Sequence, residues 1–323
     1  MKKRRCPLKI LSFLALLFVI PFQVNAGLLN GFEVKDSLVP LEEITPGGPS
    51  QRGILAINNP TFITAAAARE NHTPMEQAII VENKGIVKAY PISILNWHQV
   101  VNDRIGGRPI VVTYCPLSAT PVVFDPRVDA QPLLFGVSGL LYQSDVLIYD
   151  GRSKSLWSQL MRKAITGSYK GEKLVVVPSS QKNLHKVLDE YPHAQVMGSP
   201  GNSKIRKNYK VNPYAAYERS KRVDFPVKHI DRSIPQKTFA ILLLLRDHSL
   251  IVPVNQLDSS KKQLDVILGN KNISISYNFD DRTIFCETPT EGLTCIRGYW
   301  FALKTFYPQA KVYMRPTTTT LPE

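Results

Sequence analysis

The chain is poor in the residues that announce chemistry. Its 323 residues hold four cysteines, six histidines and three tryptophans. No G-x-S-x-G, P-loop, H-E-x-x-H or dinucleotide fingerprint occurs. That removes the motif-bearing hydrolases, nucleotide-binding folds and zinc peptidases from consideration. His185, His193, His229 and His248 are scattered without metal-ligand spacing. Beyond the first residues no apolar run approaches the roughly 20 residues that a membrane-spanning helix needs; Ala240 to Leu245 is far too short. Acidic residues are also scarce, 26 against 40 Lys and Arg.

The N-terminus reads as a targeting segment. Lys2, Lys3, Arg4, Arg5 and Lys9 precede an apolar stretch from Ile10 to Ile20, and Val24-Asn25-Ala26 fits a small-residue cleavage site. An uncleaved signal anchor is the alternative. Cleavage after Ala26 leaves 297 residues with net charge +9, enough for one large core or two packed lobes. The expected location is the periplasm or the medium, without a stable transmembrane anchor. Nucleic acid is an improbable partner there; an envelope component or a small molecule fits better.

Export changes the cysteine arithmetic. Cys6 leaves with the leader, and Cys115, Cys286 and Cys295 remain. An odd number in an oxidising compartment suggests one disulfide and one free thiol. The eight residues between Cys286 and Cys295 can loop back to pair them, leaving Cys115 free.

Cys115 ends the β-branched and aromatic stretch Ile110 to Tyr114, which reads as a buried strand; Pro116 stops it. Side-chain alternation puts Val111, Thr113 and Cys115 on one face, and Ile110, Val112 and Tyr114 on the other. Upstream, Pro91 suits the first turn of a helix in which Ile94, Trp97, His98 and Val101 share an apolar face. His98 and Cys115 are therefore the candidate constellation. The imidazole would serve as base or co-ligand, and the thiol as nucleophile or ligand of a soft metal such as copper(I). The plain alternative is a backbone-bonded core histidine and an inert core cysteine. Leu140 to Asp150 reads as one strand. Asp145 within it would orient His98, contact a ligand, or cap a turn at a strand edge. Trp97, Tyr142, Trp157, Ser158 and Gln159 are candidate pocket-lining residues, with core packing as the alternative for the aromatics.

The second half repeats the first in worn form. KAYPISIL (Lys88–Leu95) matches LIVPVNQL (Leu250–Leu257), GGRPIVVTY (Gly106–Tyr114) matches LGNKNISISY (Leu268–Tyr277), and YPHAQV (Tyr191–Val196) matches YPQAKV (Tyr307–Val312). The first copy carries an insertion between Asp125 and Gln181, and Asn278 stands where Cys115 would be. The expectation is an α+β, β-rich protein of two related lobes from a degenerate internal duplication, with one active and one structural copy. The expected order is a leader over 1–26, an extended lead-in over 27–51, a first lobe with the Cys/His site over 52–200, a basic connector over 201–222, a second lobe over 223–316 and a tail over 317–323. The connector holds seven Lys and Arg with Tyr209, Tyr214 and Tyr217 interleaved, so a polyanion-binding strip is the other reading.

AYPISILNWHQVVND, YCPLSATPVVFD, FGVSGLLYQSDVLIYD and SLWSQL together resemble the DUF3179 family of exported bacterial proteins, over about Arg52 to Arg315. The family has no assigned activity, so the resemblance implies organisation and the place of a motif rather than a mechanism. Its members usually carry Cys-Pro-Leu-Cys-Gly-Thr. This chain has Cys115-Pro116-Leu117-Ser118-Ala119-Thr120. Cys115 and Ser118 cannot cycle as a dithiol or supply two thiolates to a metal. Two functions follow: a single-cysteine thiol enzyme or soft-metal site built on Cys115, His98 and Asp145, or a non-catalytic envelope binding module that keeps the pocket.

Overall fold

Tight two-residue turns with positive φ at both positions set the register of the first strands: Lys84-Gly85, Gly106-Gly107 and Gln143-Ser144. The third lies inside the stretch read above as a single strand. Leu140 to Asp150 is a hairpin of Phe135–Tyr142 and Asp145–Asp150. Neither Gln143 nor Ser144 is a glycine or asparagine, so the turn carries no compositional mark. Asp145 consequently opens a strand instead of interrupting one.

The computed structural model describes residues 27–48, 53–200, 207–287 and 290–316. The expected leader lies outside them. Five sheets of three to five strands are arranged as the blades of a five-bladed β-propeller. Blade 1 contains Gln77–Asn83, Ile86–Pro91, Ser180–Asn183 and Gln195–Met197. Blade 2 contains Val100–Ile105, Arg108–Cys115 and Thr120–Asp125. Blade 3 is built on Phe135–Tyr142, Asp145–Asp150 and Leu156–Ser158. Blade 4 contains Phe239–Leu245, His248–Pro253, Leu293–Tyr299 and Lys311–Val312. Blade 5 contains Gln263–Leu268, Lys271–Asn278 and Thr283–Cys286. The helices are short: α1 (Ala65–Asn71), α2 (Ile92–His98), α3 (Leu184–Glu190), α4 (Ala215–Arg219) and α5 (Trp300–Phe306).

The α+β, two-lobed expectation is overturned. Strand accounts for 42% of the described residues and helix for 14%, and the blades form one propeller. The physical reason lies in where the apolar faces go. Val111 and Cys115 of blade 2, Ile148 and Trp157 of blade 3, and Leu242 and Trp300 from the second half share one buried cluster. The second half keeps a cluster of its own, including Ile241, Val252, Ile275 and Ile284, but it also buries apolar surface in a core shared with the first half, so the two halves are not separate lobes.

The matched segments fall on corresponding parts of blades. Blades 1 and 4 have the same inner order, an antiparallel pair flanked on one side by an antiparallel strand and on the other by a parallel one. In both, a short helix precedes the parallel strand: α3 in blade 1, α5 in blade 4. Blades 2 and 5 each close a strand pair through a four-residue loop, between Cys115 and Thr120 and between Asn278 and Thr283. Across the molecule Thr120–Asp125 packs against Leu293–Tyr299, and Ser180–Asn183 packs against Thr283–Cys286. These are the same junction in the two halves. Blade 3 is the insertion, and only the first half has it.

Candidate functional site

Alternation along Arg108–Cys115 sorts its side chains into two cores. Val111 and Cys115 join the cluster shared with blades 3 and 4. Ile110, Val112 and Tyr114 join a second cluster with Ile94 and Leu95 of α2. Helix α2 thus covers one face of blade 2, and Cys115 points from the other.

Cys115 is fully buried in a closed polar knot. The Asp145 carboxyl lies beside the Cys115 thiol. Asp145 Oδ1 accepts from Ser118 Oγ at 2.7 Å and lies 3.2 Å from Thr120 Oγ1, and Oδ2 accepts from the Leu160 amide at 3.3 Å. Thr120 Oγ1 donates to Gln159 Oε1 at 2.7 Å, while Gln159 Nε2 donates to Thr113 Oγ1 at 2.8 Å. Asp145 and Gln159 come from blade 3 and its trailing loop, so the inserted blade seals the Cys115 loop. Burial pushes the Cys115 thiol up to about 12, reinforced by the charge of Asp145. Burial likewise raises the Asp145 carboxyl to about 6, against the hydrogen bonds from Ser118 and Cys115. A thiol with that pKa is protonated at neutral pH.

His98 does not join this knot. Its Nδ1 lies 2.7 Å from the Leu55 carbonyl oxygen and its Nε2 lies 2.7 Å from Tyr209 Oη. A carbonyl only accepts, so Nδ1 carries the proton and Nε2 accepts from the tyrosine. Both ring nitrogens are spent, on the α2 side of the sheet. Burial lowers the His98 pKa, and the Lys207 charge adds to this against the Leu55 hydrogen bond. The Cys115–His98 pairing is not formed, whether as a base and nucleophile or as copper ligands. The donor set does not fit the metal, because its two soft donors face opposite sides of one sheet. Among the described residues no three His, Cys, Asp or Glu side chains group to hold a metal ion.

The remaining sequence candidates are dispersed. Trp97 is half-buried, donates Nε1 to the Val211 carbonyl at 3.1 Å and lies under Lys207. Trp157 is core, with Nε1 on Asp150 Oδ2 at 3.1 Å and an edge-on contact to Phe135. Tyr142 packs edge-on against Phe306. Ser158 Oγ accepts from the Met161 amide at 3.3 Å. Of these, only Gln159 touches the Cys115 knot. Cys286 and Cys295 form the expected disulfide, joining Thr283–Cys286 to Leu293–Tyr299.

The open space is elsewhere. A cavity of about 1100 Å³ lies between blades 1, 2, 4 and 5. Equivalent positions of the two halves line it in pairs: Gln77 and Phe239 at the matching ends of their strands, Gln181 and Arg297 just before the caps of α3 and α5, and Ala119 and Arg282 in the two loops. Ala119 and Arg282 both adopt left-handed backbone, φ 54° and 57°. Tyr114 and Tyr299 also line the cavity. The segment from 207 onward covers one side. Tyr217 is buried and donates to the Leu117 carbonyl at 2.8 Å, and Tyr214 accepts from Gln99 at 3.0 Å. The interleaved tyrosines thus serve as anchors. Arg282 and Arg297 are absent from the sequence-based candidates. Extending the repeat match a few residues past Tyr277 sets Arg282 opposite Ala119 and would draw attention to that loop.

No curated protein and no solved structure matches the chain. A family model does, described as a protein of unknown function (DUF3179); it spans residues 51–292, most of the sequence, and the chain belongs to that family.

Proposed function

We propose that this protein is an exported, non-catalytic binding module, and that its central cavity rather than its cysteine receives a small molecule. The observation that carries this reading is the contrast between a sealed thiol and an open cavity beside it. Cys115 is fully buried and its pKa is pushed up to about 12. Ala119, further along the same loop, lines about 1100 Å³ of open space. Export is supported by the leader-like first 26 residues and by the disulfide. Among the described residues no helix is long and apolar enough to cross a membrane. Two measurements test the reading. Native mass spectrometry of protein recovered from the export compartment should show a small-molecule adduct that is lost on unfolding. Iodoacetamide should leave Cys115 unmodified in the native protein at about pH 8, just below the free thiol value, and label it after denaturation. Rapid labelling of the folded protein would return the thiol to consideration and overturn the proposal.

A further inference from the structure

The two walls of the cavity differ in charge. On the first-half side stand Gln77, Gln181 and Ala119; at the equivalent places on the second-half side stand Phe239, Arg297 and Arg282. Arg297 is only 6% exposed. Its Nη2 donates to the Arg282 carbonyl at 3.3 Å, its Nε has no partner, and its guanidinium lies 4.0 Å from the Phe239 ring centroid. Among the described residues no carboxylate pairs with Arg297 or Arg282. The three acids that line the cavity are Glu70, Glu76 and Glu218. Glu76 accepts from the Ser93 amide and Glu218 from Asn212. Burying a guanidinium without a counter-charge is costly. The cost is reflected in its pKa, lowered to about 10 by burial, and placing Arg282 beside it adds repulsion.

Three amide oxygens of the same lining also lack partners, Gln77 Oε1, Asn96 Oδ1 and Gln181 Oε1. Two of the nitrogens are committed, Gln77 Nε2 to the Asp281 carbonyl at 2.8 Å and Asn96 Nδ2 to Asn212 Oδ1 at 3.2 Å. The oxygens therefore call for donors from outside the protein.

We infer that the cavity binds a small oxyanion, a carboxylate or phosphate that also carries hydroxyl or amino donors, with its charge held by Arg297 and Arg282. The inference rests on the binding-module reading and adds the class of ligand. A planar guanidinium suits both carboxylate and phosphate oxygens, and the two share this chemistry. The half of the chain that lacks the cysteine thus provides the charge.

Isothermal titration of the full exported chain tests this, at constant ionic strength, against inorganic phosphate, D-gluconate, D-glucose 6-phosphate and, as the neutral control, D-glucose. Binding of gluconate alone identifies a carboxylate ligand, and binding of phosphate or the sugar phosphate a phosphoryl one; either supports the inference. Arg297→Gln should weaken the bound anion at least tenfold while its thermal midpoint stays at or above that of the wild type. Arg282→Gln, at an exposed position, should weaken it severalfold and supplies the test if Arg297→Gln fails to fold. Absence of binding by all three anions, or equal affinity in the arginine variants, overturns the inference. Those results leave the module reading to the separate mass-spectrometric adduct, which a neutral ligand would also produce.

Discussion

The loops 115–120 and 278–283 are built on one frame and do opposite things. Each joins an antiparallel pair through four residues, with a left-handed residue just before the second strand, Ala119 or Arg282. Each also fixes the carbonyl preceding that residue to the neighbouring blade. Ser118 O accepts from the Tyr299 amide at 2.8 Å, and Asp281 O from Gln77 Nε2 at 2.8 Å. The difference comes from the chain beyond each loop. After Thr120–Asp125 it adds blade 3, whose Asp145 and Gln159 satisfy Ser118 and Thr120. After Thr283–Cys286 it turns back within a few residues, closed by the disulfide. Among the described residues no inserted blade covers the second loop, Thr283 Oγ1 lacks a partner, and Arg282 is exposed at the cavity. An insertion outside a motif can therefore bury it as effectively as a substitution within it.

The largest expected effect is on the second half's closure. Replacing both Cys286 and Cys295 by alanine opens a loop of about ten residues and should cost about 2.5–3 kcal/mol in urea unfolding on the chain-entropy account. A loss under about 1 kcal/mol would mean that blade packing alone closes this half. Next comes the junction between loop and neighbouring blade. A Cβ on Gly298 would meet Thr120 Cγ2 at 2.6 Å, and that threonine is held by its hydrogen bonds. Gly298→Val should cost about 2 kcal/mol by overpacking. Lys182, at the matching place in blade 1, already carries a side chain that pairs with Glu190 and lies over the Phe285 ring, so valine there should not overpack and should cost only the loss of those contacts, about 1 kcal/mol. Equal costs would show that the two junctions are packed alike.

The aspartates nearest the loops should respond to pH with opposite sign. The Asp145 carboxyl is raised from 3.8 to about 6, so the folded chain holds this proton more tightly than the unfolded one. Its contribution to stability is present below the ordinary value and is lost as pH rises through about 6. Between about pH 5 and 7.5 this amounts to roughly 1.4 kcal/mol, and because Asp145→Asn lacks the term, the difference in stability between variant and wild type should change by that amount over the range. For Asp281 burial acts upward, but the Lys186 and Thr283 interactions outweigh it and its pKa is lowered. Its contribution is present above the ordinary carboxylate value and lost as pH falls, so Asp281→Asn should lower stability at neutral pH and converge on the wild type in acid. His98, lowered by burial, also loses stability as pH falls below its ordinary range, which is why each variant must be read as a difference from wild type. The smallest effect concerns the backbone. Ala119→Gly and Arg282→Gly should each stabilise by about 0.5–1 kcal/mol through relief of left-handed strain, set against the greater freedom of glycine when unfolded. Only the second should lower anion affinity.

Much of the architecture can be read in the residues. The Gly106-Gly107 turn, the alternating faces of Ile110–Cys115 and the pairing of Cys286 with Cys295 come from local rules, because period, turn chemistry and loop length act over a few residues. The matched segments fall on similarly ordered strands of blades 1 and 4 and of blades 2 and 5, since strands in similar places share a pattern of apolar positions. The Gln143-Ser144 turn is illegible, as neither residue favours positive φ, and so Asp145 is misplaced along its strand. His98 is correctly read as inward-facing, yet which side of blade 2 it faces relative to Cys115 depends on how α2 crosses the sheet.

By itself, then, the sequence determined many of the strands, the disulfide partners and the membership of the family. Only the tertiary structure decided that the repeats become blades around one cavity instead of two lobes, because that depends on which apolar faces meet across hundreds of residues. It also decided that Cys115 lies sealed beneath blade 3 while Arg282 and Arg297 face open space. Solvent access and charge pairing are properties of neighbours in space, and no local pattern encodes a partner contributed by a blade inserted elsewhere in the chain.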